Sequence, residues 1–82
     1  MNQTVNQNNQ RSVNFCIPCD VMIEIAEIIL QAELPHNITG VEENKRELLF
    51  TLNYSPDFKT HQLAIENIKT ILIQYHQLYG DE

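Results

Sequence analysis

The sequence predicts an α+β fold, a two-layer sandwich in which two helices cover one face of a three-stranded antiparallel sheet in the order β-α-β-β-α. Three observations carry that expectation. Residues 11–18 and 47–54 alternate apolar with polar side chains at period two, residues 21–34 and 65–79 carry helical spacing, and Pro18, Pro35 and Pro56 fall at the boundaries. A chain of 82 residues holds one domain and one core. With 43% hydrophobic and 20% charged residues it belongs with folded rather than disordered sequences.

Residues 1–10, MNQTVNQNNQ, are mostly uncharged amides and read as a disordered tail, which leaves 11–80 as the domain. Val13, Phe15 and Ile17 then alternate with Ser12, Asn14 and Cys16, the pattern of a strand with one buried face. Pro18 ends that strand, and Asp20 is placed to cap a helix beginning at 19 or 20 and running to Leu34, where Pro35 stops it. The polar stripe of this helix, Glu24, Glu27 and Gln31, is narrow. Its apolar surface exceeds what one side of a small sheet covers, so the helix is either overlapped by the second helix and the tail or meets another chain. Met22, Ile25 and Ile29 are the residues expected at a partner contact.

Residues 36–42 form a second extended segment in which Gly40 allows a bulge or a close backbone approach. The polar run Glu43, Asn44, Lys45 and Arg46 reads as a hairpin turn into the clearest strand, residues 47–54. Ser55, Pro56 and Asp57 break that strand, and Thr60 is a candidate cap for the closing helix. Ile65, Ile68, Leu72, Tyr75 and Tyr79 make its apolar seam, and Gly80 ends it. A right-handed first crossover puts the third strand between the other two. This is a ferredoxin-like arrangement lacking its last strand, with one edge of the first strand open to a partner.

The one local pattern with chemistry attached is Cys16-Ile17-Pro18-Cys19 at the junction of strand and helix. A helix N-terminus favours thiolate, and thiolates bind soft metals or attack disulfides. Three uses stay open: copper or zinc binding through Cys16 and Cys19, thiol redox cycling, or simple packing as small apolar residues. A structural zinc site needs four ligands, and His36, His61 and His76 lie far away in sequence.

Cys16-x-x-Cys19 followed by Ile23-Glu24-x-Ala26 resembles the start of the heavy-metal-associated domain of copper chaperones and metal-pumping ATPases, which also runs strand, helix, strand, strand, helix. Tyr54-x-Pro56 followed by Ile68 is similar to that family's third strand and second helix. The resemblance spans 13–70 and implies soft-metal binding at the two cysteines. Where that family has Gly-Met-Thr or Gly-Met-Ser before its first cysteine, this chain has Val13-Asn14-Phe15. The C-x-P-C form also resembles the thioredoxin redox site, which implies a proline facing the cysteines, with Pro35 and Pro56 as the candidates.

Catalysis finds no support in the sequence. There is no Gly-rich phosphate loop and no H-E-x-x-H or G-x-S-x-G, and the carboxylates are scattered, so the expectation is not an enzyme and no cofactor. A formal charge of −6 opposes phosphate neutralisation, which argues against nucleic acid and anionic membranes as partners. Mimicry of nucleic acid is a weaker reading, because the acids form no dense block. The leading expectation is a small soluble cytoplasmic module that interacts with a protein partner or forms a homodimer. The alternative is a soft-metal or thiol-redox protein using Cys16 and Cys19.

Overall fold

The computed structural model describes residues 10–79, so residues 1–9 of the expected tail and the Gly80 helix stop lie outside the described residues. Five regular elements follow one another: β1 (Arg11–Pro18), α1 (Met22–Gln31), β2 (His36–Glu42), β3 (Glu47–Tyr54) and α2 (Lys59–Tyr79). A single 3-10 turn, Cys19–Val21, joins β1 to α1. The sheet is antiparallel throughout, in the order β1-β3-β2. Among the described residues no helix is long and apolar enough to cross a membrane.

The register explains which face is buried. β1 pairs with β3 as Val13↔Leu52, Phe15↔Phe50 and Ile17↔Leu48, and directly opposite residues share a face. These six therefore point to one side, where they meet Ile25 and Ile29 of α1 and Ala64, Ile65, Ile68 and Leu72 of α2 in a continuous core. The other side is mostly polar, with Leu49 as its apolar exception. There Asn14 accepts from the Thr51 hydroxyl at 2.8 Å, and the Ser12 hydroxyl donates to Asn53 at 2.6 Å.

α1 differs from expectation at both ends. No side chain caps its start, because the chain leaves Pro18 through the 3-10 turn, and Asp20 turns instead toward α2. Its regular part stops at Gln31, short of Leu34. The Leu34 N–H bonds to Ile29 O and the Glu33 N–H to Leu30 O, the paired closure of a Schellman motif, with Leu34 buried against the core. Pro35 bars Leu34 from helical geometry, so the reversal falls one residue earlier. Glu33 takes the left-handed conformation there, with φ of 56°.

Two further features follow from local chemistry. β2 carries a bulge between Ile38 and Gly40, and a Cβ at Gly40 would come within 3.0 Å of Leu49 Cδ1, so a side chain there forces Leu49 to move. α2 begins at Lys59, which places Thr60 inside the first turn rather than at the cap; the Phe58 carbonyl accepts the Gln62 N–H. At about 1.5 Å per residue α2 is longer than the strands beneath it. Ile65, Ile68 and Leu72 are accordingly buried, Tyr75 is half-buried and Tyr79 is exposed.

Glu33 offers a test of this helix stop. A non-glycine residue in left-handed geometry costs about 1–2 kcal/mol, partly offset in glycine by greater freedom of the unfolded chain. Glu33→Gly is expected to stabilise the protein by about 0.5–1 kcal/mol in urea denaturation. An unchanged or lower midpoint would contradict the Schellman closure.

Candidate functional site

α1 presents three apolar surfaces. Ile25 and Ile29, at 0% and 2% exposure, lie at the bottom of the core. Ile28 and Ala32 face α2 with Ala64 and Leu63 nearby. Met22, Ala26 and Leu30, spaced four residues apart, form a third apolar surface beside the solvent stripe of Glu24, Glu27 and Gln31, the wall of an open groove whose opposite side is His36 and Ile38 of β2. Ile29, Leu48 and Phe50 make its floor.

This placement corrects the contact residues expected from sequence. Ile25 is a core residue and cannot reach a partner without unfolding α1. Ile29 touches the groove only from below, and of the three expected residues Met22 alone stands in its wall. The apolar surplus of the helix is carried instead by Ile23 and Leu30, exposed at 76% and 65%. Ile38 and Val41 of β2 are exposed as well.

The groove exists because β2 lacks a roof. His36, Ile38 and Val41 stand opposite Leu52, Phe50 and Leu48, which gives them inward parity. Yet α1 does not extend over them, so inward-facing apolar side chains of the edge strand remain in solvent. His36 closes one end: its Nδ1 donates to Leu34 O at 3.0 Å, and its ring lies 6.5 Å from that of Phe50. The volume is about 280 Å³ and the walls are almost wholly apolar, at the lower limit of small-molecule pockets. Such a groove suits side chains projecting from another polypeptide.

The cysteines sit elsewhere. Cys16 pairs with Leu49 and so projects from the polar outer face of the sheet, while Cys19 opens the 3-10 turn and its N–H donates to Arg46 O at 3.0 Å. Both are free and exposed, so neither fills the core, and the packing role is overturned. Among the described residues no three His, Cys, Asp or Glu side chains cluster as a metal site. Pro35 stands beside Asn53, level with Ser12, and Pro56 lies beyond the Arg11 end. Both are thus at the far end of the strands from Cys19, and neither faces the cysteines.

His61 is a residue that sequence reasoning missed. It is buried, its Nδ1 accepts the Ser55 N–H at 3.0 Å, and its ring meets Phe58 edge-on at 5.2 Å. This ties the Ser55 turn to the first turn of α2. The seam spacing offered the only signal, since position 61 precedes Ile65 and Ile68 by four and seven residues.

At the other end of α2 the Tyr75 hydroxyl donates to Asp20 Oδ2 at 2.9 Å, joining α2 to the junction turn. Comparison with family models, curated proteins and solved structures returned no match to this chain.

The Tyr75 contact has a titration consequence. The bond to the Asp20 carboxylate, then burial, then the negative charge of Asp20 hold the phenol proton and raise its pKa above the ordinary 10.0. A raised folded value means that the contact supports the fold fully below the unfolded value and is lost as pH rises through the folded one. In ultraviolet titration Asp20→Asn should therefore move the ionisation of Tyr75 to lower pH than in the wild-type protein. A Tyr75 titration unchanged by Asp20→Asn would show that the contact does not form.

Proposed function

We propose that this protein is a small interaction module that docks an apolar segment of a protein partner in the groove between α1 and β2. The observation that supports this reading is the row Met22, Ala26, Leu30 and Ile38 around a floor of Ile29, Leu48 and Phe50, left open beside an edge strand. Contiguous exposed apolar surface on a small domain marks an interaction site. The formal charge of −6 favours a protein segment with basic flanks over nucleic acid. The element order and the β1-β3-β2 sheet support a ferredoxin-like arrangement without its last strand. We place the module in the cytoplasm and assign it no catalysis.

Selection of displayed peptides tests the docking. Wild-type protein is expected to enrich sequences with spaced apolar residues, and Leu30→Lys and Ile38→Lys should remove that enrichment while shifting stability by less than about 0.5 kcal/mol. Ile25→Ala, in contrast, should cost about 2–5 kcal/mol, a large share of the stability of so small a domain. Enrichment that ignores both lysine variants would sink the groove as the docking site.

A second reading rests on Cys16 and Cys19 being exposed thiols at the entrance to α1. Two cysteines can hold Cu(I), or Zn(II) when two chains share it. Native mass spectrometry of reduced protein with either ion should then show stoichiometric uptake that is lost in Cys16→Ser with Cys19→Ser. Reduced, folded protein that neither takes up metal nor cycles between dithiol and disulfide retires this reading.

A further inference from the structure

β1 ends the sheet on the side away from the groove, and its hydrogen-bonding parity is set by two backbone contacts. Cys19 stands opposite Arg46 in continuation of the register Ile17↔Leu48, and its N–H donates to Arg46 O. Bonded and non-bonded pairs alternate along an antiparallel ladder, so the odd-numbered residues of β1 direct N–H and C=O to β3. Ser12, Asn14 and Cys16 consequently direct theirs to the open edge. The Asn53 N–H to Pro35 O bond gives the same parity on β3, where odd residues serve β2.

Between Ser12 and Ile17 this edge lacks the usual guards, which are confined to Arg11 and Pro18 at its two ends. No charge occurs between Ser12 and Ile17, and the eight pairs with β3 run without a bulge, whereas β2 on the opposite edge is interrupted at Thr39. Val13 and Phe15 on the helix side are only half-buried.

We propose that the β1 edge pairs with the β1 edge of a second copy, antiparallel and centred on Asn14, to give a continuous six-stranded sheet. In this register Ser12 faces Cys16 of the other copy, Asn14 faces Asn14, and every free N–H and C=O of the three residues finds a partner. Shifting the centre to Phe15 sets Ser12 against Pro18, which has no N–H to give. The Asn14 register also sets Val13 against Phe15 on the helix side, a favourable pairing of β-branched with aromatic side chains. Arg11, the only charge of the strand, is carried toward the end of the other copy that holds Asp20. The nine residues before Gln10 are a poorer occupant, since Met1 and Val5 are their only apolar side chains to cover Val13 and Phe15. The proposal does not depend on the groove at α1 and β2, and either can fail without the other.

Sedimentation velocity of the full chain from about 1 μM to about 500 μM is expected to show a monomer–dimer equilibrium. Asn14→Lys and Asn14→Asp each place like charges across the two-fold axis and should weaken the dimer about tenfold, while an equimolar mixture of the two should restore it. Asn14→Pro removes an N–H that the monomer does not use and should leave a folded monomer, with circular dichroism reporting the fold. Ser12→Cys with Cys19→Ser should form interchain disulfides to the native Cys16 on mild oxidation, since paired strand positions lie within disulfide reach. A monomer at every concentration, a dimer indifferent to the charge mixture, or a dimer that appears only after removal of residues 1–9 would each overturn the proposal.

Discussion

Leu48, Phe50 and Leu52 sit on β3, bonded to β1 on one side and β2 on the other, and their alternation decides where everything else lies. Because the side-chain period in a strand is two, burying these three fixes Val13, Phe15 and Ile17 of β1 on the same face. A slip of one residue would turn that whole set to solvent. Both helices must then lie on this face, since their own buried isoleucines have no other apolar surface to meet. The same parity sends Cys16 to the outer face, away from the core and from α2.

β2 shows what happens when a correctly facing strand lacks cover. Its inward residues obey the parity set by β3, yet they remain exposed because α1 lies toward β1 and ends at Gln31. The stop at Leu34-Pro35 shortens the helix, and the chain must return at once to the sheet edge. Met22, Ala26 and Leu30 of α1 and Ile38 of β2 are thus two walls of one groove, while the exposed Ile23 and Val41 lie outside its lining. On the other edge α2 lies under the sheet near Arg11 and Tyr54, where the surroundings are mixed in polarity. The two edges differ in kind: one offers apolar side chains beside a bulged strand, the other a straight row of backbone donors and acceptors.

The helix ends are held by contacts distant in sequence. Tyr75 and Asp20 tie the end of α2 to the start of α1 across 55 residues. His61 ties the start of α2 to the turn leaving β3. Together they fasten both ends of the long helix, while the core residues Ile65, Ile68 and Leu72 hold its middle.

The sequence by itself determined the element order and the strand positions, because period-two and helical alternation are properties of consecutive residues. It also marked Gly40 as a place of bulge or close backbone approach, and the register shifts beside it, between Ile38 and Gly40. It could not tell Ile25 from Leu30, since an apolar residue on a nearly all-apolar helix carries no mark of which neighbour will cover it. Only the packing of α1 against β1 and α2 decided that Ile25 is core and Leu30 is surface. Asp20 was legible as a polar residue beside a helix start, but the Tyr75 hydroxyl that claims it arrives from the far end of the chain. The role of the cysteine spacing was likewise undecided in sequence: local spacing puts two thiols near one turn, whereas the pleat and the open junction turn decide that both face solvent.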